Sequence, residues 1–162
     1  MKNLKKLVAL VLVGAMSLSL VACGEKKISA KEFKKALEKE DYEIDEMEDD
    51  DYEDYYWAYD EDREVIAIYV TYEDKDDAKD DFDDLYEDVK DAKDDDEFEG
   101  TLKKTSNRIT IKGEFDDNKK YGDSEMYMVV IRVDEMIITV MTDDTDKKAV
   151  KKVDEAIKAL GY

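Results

Sequence analysis

The chain has 162 residues, of which 44% are charged, and it carries a formal net charge of -20 with no histidine and one cysteine. The lack of histidine excludes a Ser-His-Asp triad and a histidine-ligated metal site, and one cysteine cannot form an intramolecular disulfide. The negative charge repels nucleic acid, so no nucleic-acid partner is expected. Hydrophobic residues make up 43% of the chain and fall in periodic patterns, which predicts a folded domain.

The N-terminus has the pattern of a secretory signal peptide. Three lysines within the first six residues precede an uncharged, mostly apolar run over 7–22, which is too short for a good membrane span. The run ends in LVAC, residues 20–23, which resembles the lipobox of bacterial lipoproteins. The resemblance implies cleavage before Cys23, acylation of its sulfur, and a lipid anchor on the extracytoplasmic face of the cell membrane. An ordinary signal peptide that ends near a cysteine is the alternative.

These signals divide the chain into three parts. Residues 1–22 are predicted to be a lipoprotein signal peptide, and residues 23–28 the lipidated cysteine with a short linker. Residues 29–162 are predicted to form a single acidic domain. The peptide carries three lysines and no acid, so its removal leaves a formal charge of -23.

Capping signals and apolar periodicity predict three helices. Ser29 and Glu32 form an S-x-x-E capping box before the first helix. Asp74 caps a second helix over about 75–92, and a third helix covers about 146–160. Each helix has apolar residues on one face, which predicts packing against a sheet.

Alternating and β-branched segments predict the strands. They are a short strand around Tyr42 and Ile44, and strands over about 55–59, 64–72, 108–112, 126–133 and 136–142. The segment EVIAIYVTY, residues 64–72, is apolar on both faces, which predicts a central strand. Residues 91–100, DAKDDDEFEG, are predicted to form a charged loop.

A hairpin followed by a helix occurs twice, at an offset of 71 residues that maps Tyr56 onto Tyr127 and Ala78 onto Ala149. We interpret this as a pseudo-repeat, with chance similarity of two such units as the alternative. The predicted fold class is α+β: an antiparallel sheet with three helices on one face.

Several features extend over the mature chain. They are an A-x-E-F helix start at 30–33, a tyrosine-rich hairpin over 55–72, an acidic helix from Ala78, a second hairpin with Tyr127, Val129, Arg132 and Asp134, and the ending Leu160, Gly161 and Tyr162. In these features, together with the lipobox, the chain resembles small surface lipoproteins of low-GC Gram-positive bacteria. That group has no established activity, so the resemblance assigns no functional residue.

An acidic segment around Trp57, the only tryptophan, combines carboxylates with aromatic rings. In a strand, Tyr55, Trp57 and Tyr59 share one face, while Tyr56 and Ala58 share the other. Burial of the Tyr55-Trp57-Tyr59 row is expected, because large aromatic residues usually supply the core. If Tyr56 and Ala58 point inward instead, the row becomes a platform for a protein, a peptide or a glycan.

Calcium is the one cofactor that the acidic loops suggest, because it binds six to eight oxygen ligands. The candidate ligands are Asp49, Asp50, Asp51, Asp94, Asp95 and Asp96. Simple solvation of these acids at the surface is the competing interpretation.

The sequence favours a non-catalytic binding or interaction module at the cell surface, held there by its lipid anchor. One alternative is calcium binding or buffering by the acidic loops. Another is a carboxylate-only hydrolase, which needs a cleft with two opposed acids, one of them with a raised pKa.

Overall fold

The computed structural model describes residues 25–62, 64–116 and 124–162. The predicted signal peptide over 1–22 and the predicted lipidation site at Cys23 lie outside the described residues.

The described chain forms one sheet with three helices. The strands are β1 (Glu43–Glu46), β2 (Asp54–Tyr59), β3 (Ile66–Thr71), β4 (Phe98–Lys104), β5 (Arg108–Phe115), β6 (Ser124–Val133) and β7 (Met136–Thr142). The helices are α1 (Ala30–Glu38), α2 (Lys75–Asp94) and α3 (Lys147–Ala159). All seven strands pair antiparallel, in the order β1-β2-β3-β7-β6-β5-β4, which confirms the predicted α+β class with an antiparallel sheet.

Local sequence signals begin each helix. The Glu32 amide donates to the Ser29 hydroxyl at 3.3 Å, and the Ser29 amide donates to the Glu32 carboxylate at 2.8 Å, which completes the predicted capping box. Asp74 caps α2 and Asp146 caps α3, because each carboxylate accepts hydrogen bonds from amides of the first turn. These bonds satisfy backbone donors that the helix itself leaves unpaired.

The helices cover both faces of the sheet, so the prediction of three helices on one face is wrong. On the α1/α3 face, Phe33 and Val153 pack into one core, and on the α2 face Phe82 belongs to a second core. The consecutive residues Val129 and Val130 are both buried, and each belongs to a different core. Strands that are apolar on both faces need cover on both, which a single helical layer cannot supply.

The path of α2 leaves part of its face of the sheet uncovered. The helix leaves β3 in the middle of the sheet and leads to β4 at one edge. Its main contacts are accordingly with β4, β6 and β7. The half of the α2 face formed by β1 and β2 therefore lies beside the helix and not beneath it.

The segment 91–100, which the sequence predicted to be a charged loop, instead contains the end of α2 up to Asp94 and the start of β4 from Phe98. Gly100 of β4 and Gly113 of β5 are register partners, and a Cβ atom on Gly100 would lie 2.3 Å from the Lys112 backbone oxygen. The Phe98 ring fills the space in which the side chains of both glycines would stand. The pairing depends on this close approach of two backbones, which hydrophobic alternation does not reveal.

The unit of hairpin and helix occurs twice, as β2-β3-α2 and β6-β7-α3. The corresponding residues Tyr56 and Tyr127 both lie on the α1/α3 face. The two helices that follow pack on opposite faces, so the structure does not extend the correspondence to them. A common origin of the two halves stays a prediction.

Candidate functional site

Tyr55, Trp57 and Tyr59 form a continuous row along β2. Their ring centroids are 6.3 Å apart for Tyr55 and Trp57, and 5.9 Å apart for Trp57 and Tyr59. The intervening Tyr56 and Ala58 point to the α1/α3 face, where they are 7% and 0% exposed. The row lies on the opposite face and each ring is partly exposed, so the expectation of burial holds only in part.

The row continues across the sheet as a partly exposed apolar surface. Trp57 is the register partner of Ile68, which in turn pairs with Thr139. In the same way, Tyr59 is the register partner of Ile66 on β3, which pairs with Met141 on β7. We refer to these partly exposed residues as the aromatic–aliphatic face: Tyr55, Trp57, Tyr59, Ile66, Ile68, Thr139 and Met141.

A groove of about 260 Å³ opens at one end of the aromatic–aliphatic face, between the sheet and α2. Three tyrosine rings line it. The Tyr52 centroid lies 5.2 Å from that of Tyr55 and 5.0 Å from that of Tyr72, and the Tyr52 and Tyr72 planes are nearly perpendicular at 86°. Asp81 of α2 accepts a 2.7 Å hydrogen bond from the Tyr72 hydroxyl. We refer to these four residues as the tyrosine groove.

The tyrosine groove combines neutral rings with one carboxylate. Burial, together with the hydrogen bond to Asp81, raises the pKa of Tyr72 far above its ordinary value, and burial also raises the pKa of Tyr52. Both phenols therefore stay protonated at neutral pH. Asp81 is exposed to solvent, and among the described residues no lysine or arginine forms an ion pair with it.

Charge is distributed unevenly between the two faces. Helix α2 carries ten acidic residues and four lysines, a formal charge of -6. Helix α3 carries five lysines and two acids, a charge of +3, and α1 has a charge of +1. The surface beside the aromatic–aliphatic face is therefore negative, while the helices of the opposite face are positive.

The indole nitrogen of Trp57 has no hydrogen-bond partner among the described residues, although it is buried. An unpaired buried donor is unfavourable, because water would have bonded it in the unfolded chain. The Trp57 ring is therefore held by its apolar contacts along the row and not by its polar atom.

The two acidic triplets proposed for calcium lie at opposite edges of the sheet. Residues 49–51 form the turn between β1 and β2, where the Asp51 amide donates to Asp49 Oδ1 at 3.0 Å. Residues 94–96 lie at the end of α2, before β4. Within the described ranges, no three or more histidine, cysteine, aspartate or glutamate residues are grouped as metal ligands. Calcium binding stays a prediction.

Three carboxylates lie within ion-pair distance of Lys152, which lies on α3. Its Nζ atom is 2.9 Å from Asp60, 2.6 Å from Glu64 and 3.8 Å from Asp62. The hydrogen bond from Lys152, with the charge of Lys148, lowers the pKa of Glu64. A general acid needs a raised pKa, so this cluster has the character of an ion-pair network.

Sequence reasoning identified the row but missed three groove residues, Tyr52, Tyr72 and Asp81. A usable signal existed for two of them. Tyr52 precedes β2 and Tyr72 follows β3, so the register of this hairpin brings the two rings together at its open end. The position of Asp81 depends on the direction that α2 takes across the sheet, which the sequence does not state.

Comparison with known protein families and with curated proteins found no match. In the part of the chain that the structure describes, no helix has both the length and the apolar character needed to cross a membrane.

Proposed function

We propose that this chain is a non-catalytic binding module, held at the outer face of the cell membrane by a lipid on Cys23. It binds a protein or peptide partner through the aromatic–aliphatic face. The observation that carries the proposal is the position of that face beside α2, where its rings and aliphatic side chains stay partly exposed.

The composition of the face supports binding. Tyrosine, tryptophan and methionine are enriched in the centres of protein interfaces, and rigid rings lose little conformational entropy when they are covered. Charged residues border the rings on β1, where Asp45 is the register partner of Trp57 and Glu43 that of Tyr59. An apolar centre with a charged rim is the usual organisation of an interface between proteins.

The contacts of the N-terminal segment support a fixed attachment point. The Tyr69 hydroxyl donates to the Ile28 carbonyl at 3.1 Å, and the Tyr162 hydroxyl donates to the Lys26 carbonyl at 2.6 Å. Lys27 forms an ion pair with Glu135 in the β6–β7 turn. A lipid on Cys23, three residues before Lys26 in the sequence, would therefore hold this end of the sheet against the bilayer.

The uneven charge supports an orientation of the domain. An anionic membrane surface would attract the positive helices α1 and α3 and repel the negative helix α2. The aromatic–aliphatic face lies on the same side as α2. It would therefore be turned away from the bilayer and accessible to a partner.

Site-specific cross-linking in cells tests the proposal. A photoreactive amino acid replaces Ile68 on the aromatic–aliphatic face of the full chain, and, in a matched control, Lys151, whose side chain is 74% exposed on α3. Illumination is expected to give a product of defined mass from position 68 and none from position 151. Equal products from both positions, or none from position 68, contradict the proposal.

A further inference from the structure

The tyrosine groove has the chemistry of a site for an organic cation. An ammonium group is attracted to the face of an aromatic ring within about 6 Å of its centroid. Tyr52, Tyr55 and Tyr72 supply three such rings around a groove of about 260 Å³, and Asp81 supplies a carboxylate at its wall. Rings alone would accept a neutral apolar group equally well, whereas the carboxylate favours a positive one.

The chain itself uses the same arrangement elsewhere on α2. The ammonium group of Lys104 lies 4.4 Å from the centroid of the Tyr86 ring and 2.7 Å from the carboxylate of Asp83. The side chains of Tyr72 and Asp81 provide the ring and the carboxylate of such an arrangement.

Unlike Tyr86, which Lys104 contacts, the rings of the tyrosine groove have no cation of this chain over them among the described residues. Among the described residues, no lysine or arginine lies over the rings of Tyr52, Tyr55 or Tyr72, whereas Lys34 lies 4.1 Å above Tyr56 on the other face. A cation bound in the groove would therefore come from another molecule or from outside the described residues.

The tyrosine groove is continuous with the aromatic–aliphatic face, which indicates the kind of partner that would bring a cation to it. Tyr55 belongs to both surfaces, and Ile68 and Thr139 of the face also line the groove. A segment that covers the apolar face thus extends directly into the groove. The charge of -6 on α2 attracts a positively charged segment and repels a negative one.

We infer that the tyrosine groove binds the ammonium group of a lysine side chain from a cationic peptide segment, whose apolar residues cover the aromatic–aliphatic face. The inference rests on the proposed function and adds the chemical class of the partner. It assigns Asp81 as the residue that distinguishes a lysine from a neutral side chain of similar length.

Two matched peptides test the inference. One alternates leucine and lysine, and in the other every lysine is replaced by glutamine. Each is titrated into the chain from residue 24 onward, which contains every described element, in about 0.15 M salt to screen diffuse attraction. Trp57 reports binding by fluorescence, because it is the only tryptophan and lies 6.3 Å from Tyr55 in the row. The lysine peptide is expected to bind at least about tenfold more tightly, the scale of one charge-assisted contact.

Two charge-matched variants locate the contact. Asp81→Asn keeps an oxygen that can accept from Tyr72 and is expected to remove most of the lysine preference, while affinity for the glutamine peptide stays unchanged. Asp80→Asn removes the same charge from the adjacent position of α2 and is expected to change affinity by less than about twofold. Tyr52→Leu is expected to weaken the lysine peptide as well, because it removes one ring. Thermal unfolding of each variant checks the fold.

Four results overturn the inference. If Asp80→Asn and Asp81→Asn lower the affinity for the lysine peptide equally, the peptide is held by diffuse attraction to α2 and not by a contact with Asp81. Equal binding of both peptides removes the role of the ammonium group but leaves the apolar face as a binding surface. If the chain binds phosphatidylcholine vesicles and Asp81→Asn removes this binding, the ligand of the groove is a lipid headgroup and not a peptide lysine. Failure of both peptides, alongside a cross-link at position 68, refutes the cationic partner and leaves the proposed function standing.

Discussion

The Tyr72 hydroxyl donates a 2.7 Å hydrogen bond to Oδ2 of Asp81, and this bond joins the end of β3 to α2. Tyr72 directly follows β3, and Asp81 is the seventh residue of α2. The bond orients the carboxylate at the wall of the tyrosine groove. Tyr72 is only 7% exposed. The bond to Asp81 therefore replaces the hydrogen bond to water that its hydroxyl loses when the chain folds.

Removal of this hydroxyl is expected to destabilise the fold modestly. Tyr72→Phe keeps the ring and removes the donor, so the free energy of unfolding should fall by about 1 kcal/mol, the usual net value of such a bond. Urea unfolding measures the change. Tyr86→Phe is the control, because no hydrogen bond of the Tyr86 hydroxyl is described, and its effect should stay below about 0.5 kcal/mol. Equal losses in the two variants would contradict the assigned role.

Stability is expected to fall at alkaline pH. Burial raises the pKa of Tyr42, Tyr127 and Tyr162 to about 12 from the ordinary 10.0. Between these values the unfolded chain has released protons that the folded chain still holds. The free energy of unfolding therefore decreases as the pH rises through about 10 towards 12, and it is unaffected by these groups below that window.

Urea unfolding at about pH 8, 10 and 11 measures this decrease, and phenolate absorbance follows the titration. Tyr127→Phe should make the decrease smaller, because it removes one of the three groups. A free energy of unfolding that is constant from about pH 9 to 11 would show that the phenols titrate normally in the folded chain.

Replacement of Trp57 by phenylalanine is expected to be nearly neutral. The buried indole nitrogen has no described partner, so its removal offsets the loss of apolar ring surface. The free energy of unfolding of Trp57→Phe should lie within about 1 kcal/mol of the original chain. Trp57→Ala is the comparison and should cost about 2 kcal/mol or more, because the whole ring is lost. A similar loss in both would indicate that the indole N–H group makes a bond.

The contact between Gly100 and Gly113 is expected to tolerate no side chain. A Cβ atom on Gly113 would lie 2.3 Å from the Glu99 backbone oxygen, and β4 and β5 would have to separate to accept it. Gly113→Ala should therefore lower the free energy of unfolding by about 2 kcal/mol or more. Thr101→Ala is the control, since that side chain is exposed on β4. A change below about 0.5 kcal/mol for Gly113→Ala would mean that the strands do not approach so closely.

Lipidation is expected to depend on Cys23 alone. Cys23→Ser should abolish metabolic labelling with palmitate and release the chain from the membrane fraction, because it removes the sulfur to which the proposed lipid would be attached. Ser29→Ala is the control, since it alters only the cap of α1 and should leave labelling unchanged. Continued membrane retention of Cys23→Ser would point to the uncleaved apolar segment as the anchor.

Features that depend on neighbouring residues could be predicted from the sequence. The N-caps of α1 and α2 were predicted because Ser29 and Asp74 bond amides only two or three residues away. Asp146 caps α3 in the same way, although the sequence predicted that helix from its apolar positions. The β6–β7 hairpin was also predicted, although its turn lacks glycine. Asp134 adopts the left-handed conformation there with φ 54°, which aspartate tolerates better than most residues.

Features that depend on distant segments could not be predicted in this way. The two-sided apolar pattern of β3 indicated a central strand, but it did not state which helix covers which side. Strand β4 was missed because Glu99, Gly100 and Lys103 have low strand propensity. The partial exposure of Trp57 likewise depends on how far α2 extends over the sheet, and the alternation within β2 is the same whether the row is covered or not.

The clamp on the first described residues has a mechanical consequence. The Tyr162 hydroxyl donates to the Lys26 carbonyl, and the Tyr69 hydroxyl of β3 donates to the Ile28 carbonyl, so the first described residues are bonded to the C-terminus and to the sheet. A pulling force applied at the N-terminal end is thus shared with the C-terminus and the middle of the sheet before it reaches the short edge strand β1. A load on the segment before α1 therefore acts first on its hydrogen bonds to Tyr162 and to Tyr69, so β1 is not the first element that it reaches.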